Sequence, residues 1–140
     1  MPIYALGDQE PVIHPSAFVM PEAVIIGRVT IGAGATIWSG AVLRADDNDI
    51  VIGDETSVQD NAVIHVTAQF PTIVGKRCTI GHLAHLEGCR VEDEALIGTG
   101  SIVLHDAVVE SRALVGAGAV VPGKMRVPAG TMALGMPAKI

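Results

Sequence analysis

The chain has 140 residues, of which 49% are hydrophobic and only 3% aromatic, and its formal net charge is −6. The length predicts one domain over residues 1–140, and the scarcity of aromatic rings argues against a core built on aromatic anchors. The acidic balance excludes a nucleic-acid-binding surface, and no apolar run approaches the roughly 20 residues of a membrane span. The first residues lack the pattern of a secretory signal, so we expect a cytoplasmic protein.

An aliphatic residue recurs every six positions along most of the chain. A small residue, usually Ala, stands two positions before it, and Gly often follows it. A period of six fits neither a helix nor an alternating strand, but it fits a parallel β-helix in which three short strands make one triangular coil. The pattern therefore predicts an all-β solenoid. The aliphatic positions are Ile13, Val19, Ile25, Ile31, Ile37, Leu43, Ile52, Val58, Ile64, Val74, Ile80, Leu86, Val91, Ile97, Val103, Val109, Val115 and Val121.

Two polar insertions, residues 45–51 and 66–72, interrupt the repeat before residue 80. If each insertion bulges out at a corner and counts as one step, three steps complete a coil. Residues one coil apart then stack about 4.8 Å from one another. This register places Leu43, Ile64, Leu86 and Val103 in one inward column, and it gathers at the following corner Arg44, His65, Glu87 and Leu104.

A second corner follows the column of Val58, Ile80 and Ile97, and it carries Gln59, Asp60 and His82. Two corners of one triangular coil face different directions, so His82 and His65 of one chain cannot share an ion. A threefold oligomer would bring these corners of neighbouring chains together. We therefore expect a site between subunits, formed by His65 and Glu87 of one chain and His82 of the next. Such donors suit zinc or a similar divalent metal.

The two cysteines, Cys78 and Cys89, occupy the small-residue position of the repeat, two repeat steps apart. They should lie on different faces of the coil, too far apart to pair. We expect buried free thiols in a reducing compartment.

Several stretches resemble the γ-class carbonic anhydrases, a family of trimeric left-handed β-helices. They are AVLRAD (41–46), SVQDNAVIHV (57–66), PTIVGKRCTIGH (71–82) and EGC (87–89). The resemblance implies a homotrimer that hydrates CO2 reversibly to bicarbonate at a zinc-type site, with iron or cobalt as alternatives. It implies metal ligands at His65 and His82. It also implies a polar network around the site and across the subunit boundary, formed by Arg44, Asp46, Gln59 and Asp60.

The resemblance fails at the third ligand. Where the family has a pattern like GHxAxxHGC, this chain reads GHLAHLEGC, so Glu87 stands in place of a histidine. Glu is an acceptable zinc ligand, but its charge would weaken the acidification of a bound water and slow hydration. His85, two residues earlier, is the alternative ligand, and a metal-free site is a third outcome. We expect Glu87 to be the ligand.

Other functions stay open. The repeat is shared with hexapeptide acyltransferases that use a coenzyme A donor and a histidine base, and a CoA-thioester hydrolase is a variant of that reading. A non-catalytic metal-binding or assembly subunit is a further alternative. An ion pair of Arg44 with Asp46 or Asp60 could simply hold a trimer together, and Asp46, Asp47 and Asp49 could relay protons to solvent. We expect His14 and His105 to be surface residues.

Overall fold

Short strands separated by tight turns follow from the six-residue repeat, because each repeat unit supplies one strand and one corner of a coil. The structure, a computed structural model, describes residues 2–140 as a left-handed parallel β-helix of about seven coils. The strands are β1 (Ile3–Tyr4), β2 (Val12–Ile13), β3 (Phe18–Val19), β4 (Val24–Ile31), β5 (Thr36–Ile37), β6 (Val42–Ile52), β7 (Ser57–Val58), β8 (Val63–His65), β9 (Thr72–Val74), β10 (Thr79–Ile80), β11 (His85–Glu87), β12 (Arg90–Val91), β13 (Leu96–Ile97), β14 (Ile102–Val103), β15 (Val108–Val109), β16 (Leu114–Val115), β17 (Val120–Val121), β18 (Arg126–Val127) and β19 (Met132–Ala133).

The strands form three faces. Face one contains β1, β8, β11, β14 and β17 with the first halves of β4 and β6. Face two contains β2, β9, β12, β15 and β18 with the second halves of β4 and β6. Face three contains β3, β5, β7, β10, β13, β16 and β19. The chain passes from face three to face one and then to face two, so β4 and β6 bend around the corner between faces one and two.

The interior is filled by the repeated aliphatic residues, and the small residues two positions earlier line it as well. Ile25, Leu43, Ile64 and Leu86 are each 0% exposed, and so is Ala41. A narrow coil leaves no room for aromatic rings, which explains the composition. The all-β solenoid predicted from the repeat is confirmed.

The predicted stacking is confirmed as well. Leu43 pairs with Ile64, Ile64 with Leu86, and Leu86 with Val103 in the parallel register of face one. On face three, Ile80 pairs with both Val58 and Ile97. The treatment of each insertion as one step of the repeat was therefore correct.

Both insertions lie at the corner between faces one and two, which we call the His65 corner. Leu43 to Ile52 spans nine residue steps and Ile64 to Val74 spans ten, where Ile25 to Ile31 spans six. Residues 45–51 belong to the continuous strand β6, and part of this insertion bulges out of the pairing with β4, as expected. Gly27 of β4 pairs with Ala45 of β6, and Val29 pairs with Ile50, so the extra residues of β6 lie opposite a single residue of β4. Arg28 bonds across that irregularity to Asp49, at 2.9 Å.

Cys78 and Cys89 are buried and unpaired, as predicted. Burial raises the pKa of the Cys89 thiol to about 12 and raises the pKa of Cys78 as well, so both thiols are protonated at neutral pH. Residues 2–140 contain no helix with the length and apolar character that a membrane span requires.

Candidate metal centre

His65 and Glu87 lie side by side at the His65 corner. His65 ends β8 and Glu87 ends β11, and the parallel register pairs the two residues directly. Ile64 and Leu86, the residues before them, are fully buried. Successive side chains of a strand point to opposite faces, so His65 and Glu87 both point outward.

The His65 ring is held by the strand that carries the first insertion. Its Nε2 lies 2.9 Å from Oδ1 of Asp46 and 3.2 Å from Nη2 of Arg44. A protonated Nε2 donates to Asp46, whereas an unprotonated Nε2 accepts from Arg44, so the two contacts belong to different tautomers. Nε of Arg44 also lies 3.4 Å from Oδ2 of Asp46. The structure thus brings His65 together with Arg44 and Asp46, two residues of the polar network that the resemblance implies.

The Asp46 carboxylate is stabilised in its charged form. Partial burial acts to raise its pKa, but hydrogen bonds from the backbone N–H groups of Asp47 and Asp46 and from the His65 ring outweigh burial. The pKa of Asp46 therefore lies below its ordinary value. A charged Asp46 favours the tautomer in which His65 donates from Nε2.

Glu87 lies close to two histidines, namely His65 at the paired position of the preceding coil and His85 two residues earlier on its own strand. Its Oε1 lies 3.7 Å from Nδ1 of His65 and 3.0 Å from Nε2 of His85. When His65 donates from Nε2, its Nδ1 carries a lone pair that faces the Glu87 carboxylate. Two acceptors then face one another with no proton between them, an arrangement that suits a cation. Metal-binding histidines commonly donate their other ring N–H to a carboxylate, and His65 makes the same kind of contact with Asp46 in the tautomer that is protonated at Nε2.

His82 lies at the corner between faces three and one, which we call the His82 corner. Its Nδ1 is 3.4 Å from Oδ1 of Asp60, one coil earlier. Gln59 stands beside Asp60, and its backbone N–H donates to the carbonyl oxygen of Ile80 in the next coil. The sequence prediction that these three residues share a corner is confirmed.

The His65 corner and the His82 corner flank the two edges of face one. Within residues 2–140 of one chain, no group of three His, Cys, Asp or Glu side chains is placed to hold a metal ion. The donor set itself fits such an ion, because imidazole nitrogens with one carboxylate are established zinc ligands. His65 and Glu87 place two potential donors at one corner of a chain, whereas His82 lies at the other corner of face one.

The outer side of face one is almost entirely apolar. By register, its outward residues form one ladder across six coils, in which His85 is the single polar residue: Val24, Val42, Val63, His85, Ile102 and Val120. Val63 is 38% exposed. At the edge of this ladder, Leu83 of the His82 corner is 61% exposed. A continuous apolar surface of this kind commonly marks a contact with another chain.

Thr72 is a residue of this corner that the sequence analysis missed. Its side chain is 0% exposed, and its hydroxyl bonds the backbone of the segments that carry His65 and Glu87. Thr72 is the first residue of β9 and follows the second insertion. Nothing in the repeat pattern distinguishes it from the other polar residues of that insertion.

Surface clefts lie elsewhere on the chain. Two clefts of about 140 and 250 Å³ run along face two and share Ile73 and Arg90 in their walls. Neither is lined by His65, His82 or Glu87. A metal site between chains would need no cavity in a single chain, so the clefts and the polar cluster are separate features.

Comparisons with known proteins point to two groups that share this fold. The family model described as the GMPPB C-terminal domain matches residues 8–132. The chain is 45% identical over 138 residues to Gamma carbonic anhydrase 1, mitochondrial, of Arabidopsis thaliana, covering 94% of this chain and 50% of that protein. The chain thus spans about half the length of this curated relative.

Two shorter proteins are matched over most of their length. "Probable carbonic anhydrase" of Methanocaldococcus jannaschii is 38% identical over 128 residues, with 91% of this chain and 80% of that protein covered. Among solved structures, a hexapeptide transferase family protein from Anaplasma phagocytophilum superposes with a TM-score of 0.94 at 38% identity. That match covers 98% of this chain and 81% of the other.

Proposed function

The chain belongs to the γ-class carbonic anhydrase family within the hexapeptide-repeat superfamily, and on this premise we propose that it hydrates CO2 reversibly as a homotrimer. Its metal sites would lie between subunits. The observation that carries this proposal is the arrangement of face one, whose two edges bear His65 with Glu87 and His82 with Asp60.

The apolar ladder supports the assembly. If three chains pack around a threefold axis that lies in front of face one, the ladders turn toward the axis, and the His65 corner of each chain meets the His82 corner of its neighbour. Contacts of this kind repeat head to tail and close after three subunits. Every subunit then contributes to two of three equivalent sites.

His65 and Glu87 of one chain with His82 of the next would hold the ion, and His85 stands 3.0 Å from Glu87 as the alternative donor. Zinc fits this donor set best, and iron or cobalt is also compatible. When bound, a zinc-type ion supplies Lewis acidity that lowers the pKa of water and so provides a nucleophile for CO2 at neutral pH.

The remaining residues act around that nucleophile. The Asp46 carboxylate accepts a hydrogen bond from Nε2–H of His65 and so fixes the ring. The amide of Gln59, at the His82 corner, can donate a hydrogen bond to a bicarbonate oxygen as it forms. Asp46, Asp47 and Asp49, all on the strand of the first insertion, offer carboxylates along which the released proton can reach solvent. The Glu87 carboxylate lowers the positive charge of the site, so we expect slower hydration than with a third histidine.

A cytoplasmic location is part of the proposal and agrees with two thiols that are unpaired. The relative of Arabidopsis thaliana named above is by its name mitochondrial, and location needs a direct test by fractionation.

A coenzyme A-dependent acyltransferase or thioester hydrolase is the second candidate, and the likeness to the hexapeptide transferase family protein favours it. A non-catalytic metal-binding or assembly subunit is the third. Metal analysis and CO2 hydration of wild type and Glu87→His, with hydrolysis of acetyl-CoA assayed on the same preparations, distinguish them. The proposal expects about one zinc per subunit, measurable hydration, and a faster rate in Glu87→His. Acetyl-CoA turnover without hydration supports the second candidate, and metal without either activity supports the third.

A further inference from the structure

One buried hydroxyl ties together the backbone at both candidate ligand positions of a chain. Oγ1 of Thr72 donates a hydrogen bond to the carbonyl oxygen of His65 at 2.5 Å, and it accepts one from the N–H of Gly88 at 2.7 Å. Gly88 directly follows Glu87 in the chain. The Thr72 side chain is 0% exposed, so no water can replace it without a rearrangement of the corner.

This bridge stands where the regular pairing between coils is interrupted. His65 and Glu87 are the last paired residues of β8 and β11, and pairing resumes only at Ile73 with Arg90. The segment between His65 and Ile73 contains the second insertion, whereas only Gly88 and Cys89 lie between Glu87 and Arg90. The two coils therefore differ in length here, and their backbone groups cannot all pair with one another. The Thr72 hydroxyl satisfies one group from each coil.

Gly88 makes the close approach of the two segments possible. It has a φ of +67°, and a Cβ at this position would meet Cβ of Phe70 at 3.1 Å and Cγ2 of Thr67 at 3.2 Å. Both of those residues belong to the second insertion. The insertion therefore packs directly over the backbone that follows Glu87, and Thr72 bonds it there.

We propose that Thr72 is a positioning residue that sets the separation and orientation of His65 and Glu87 for metal binding. The inference rests on the proposed function, because it assumes that these two residues act as ligands. Thr72 touches neither the ion nor the substrate in this account. It acts only through the backbone of the two residues that do.

The chain offers a matched control in Thr56. This residue is also 0% exposed, its Oγ1 donates to the carbonyl oxygen of Gly75 at 2.6 Å, and it accepts from the N–H of Cys78 at 3.1 Å. The chemistry of the bridge is the same, but it lies at the corner between faces two and three, away from the candidate ligands. Thr56→Val should therefore cost stability as Thr72→Val does, without affecting the metal site.

The test compares wild type with Thr72→Val, Thr72→Ser and Thr56→Val. The first measurement is the Co²⁺ dissociation constant of the trimer, with the visible spectrum of the bound ion. The second is the set of histidine ring ¹⁵N resonances of the metal-free protein, with His65 assigned from a His65→Gln variant. We expect Thr72→Val to weaken Co²⁺ binding by about 10–100-fold, the range typical for groups that orient metal ligands. Its His65 resonances should move, and Thr72→Ser should restore both properties.

Equal Co²⁺ affinity and unchanged His65 resonances in Thr72→Val would overturn the inference, and so would an equal loss in Thr56→Val. If wild type binds no Co²⁺, the proposed function fails. The ring resonances then still decide whether Thr72 positions His65, since a shift in Thr72→Val but not in Thr56→Val supports that role without any metal.

Discussion

Glu87 and His65 are direct neighbours in adjacent coils, with Oε1 of Glu87 3.7 Å from Nδ1 of His65. The carboxylate occupies the position at which the family pattern places an imidazole. On the far side of His65, Asp46 holds the other ring nitrogen at 2.9 Å. The ring is therefore fixed between two carboxylates, of which we assign one to the metal and one to orientation of the ring.

Asp46→Asn should weaken metal binding without unfolding the chain. Loss of the negative charge removes the preference for the tautomer that donates from Nε2, and partners of this kind typically contribute about 10–100-fold in affinity. Zinc affinity measured by competition with a chelator checks this. Asp47→Asn is the control, because the Asp47 side chain makes no ion pair within residues 2–140. Equal affinities in the two variants would contradict the role of Asp46.

The same carboxylate predicts a pH dependence of stability. The pKa of Asp46 in the folded chain lies below the ordinary value of 3.8. A lowered folded-state pKa adds stability that is fully present well above 3.8 and is lost as the pH falls through the lower folded value. The difference in unfolding free energy between wild type and Asp46→Asn should be constant above about pH 5 and should shrink toward pH 3. Urea titrations across this range check it, and a difference that grows with acid would refute the assignment.

Assembly should depend on the apolar ladder of face one. Ile102→Asp places a charge between His85 and Val120 on that ladder, and burial of an unpaired charge in a contact between chains is strongly unfavourable. We expect a folded monomer by sedimentation and circular dichroism. Val108→Asp, at a similarly half-buried outward position on face two, should remain trimeric. A trimeric Ile102→Asp variant would place the interface on another face.

A core substitution should lower the unfolding free energy most where the residue is buried between two adjacent coils. Ile80 is 0% exposed and pairs with residues of both adjacent coils, so Ile80→Ala should cost about 2–5 kcal/mol of unfolding free energy. Leu96 lies on the same face but is 41% exposed, and Leu96→Ala should cost much less. Denaturant unfolding of the two variants provides the comparison. Similar losses would mean that Leu96 is covered, as it would be in a contact with another chain.

The six-residue repeat predicted the fold and the stacked columns of residues because, in a solenoid, the alignment of one column fixes the alignment of the others. Once Leu43, Ile64 and Leu86 are aligned, the residue after each of them must turn the same corner. Spacing could therefore place His65 beside Glu87 and His82 beside Asp60. It could not show that Asp46 reaches His65, since that contact depends on how β6 absorbs its extra residues against Gly27 and Val29.

The side-chain contacts within the His65 corner could not be predicted from the sequence either. The bond between His85 and Glu87 depends on the rotamers of two outward residues on one strand. The Thr72 bridge depends on the exact difference in length between two coils. Neither quantity follows from periodicity, although both decide how the candidate ligands are held.

The central claim is that one site draws His65 and His82 from different chains, and mixing of variants tests it most directly. His65→Ala and His82→Ala should each form folded trimers that bind little metal and hydrate little CO2. When the two are co-assembled in equal amounts, about one quarter of the sites should regain both histidines, because each site takes one from either neighbour at random. Metal content and hydration should rise together to that fraction, while His65→Ala mixed with the double variant His65→Ala/His82→Ala should stay inactive. A mixture of folded, trimeric single variants that recovers neither metal nor activity would contradict the shared site.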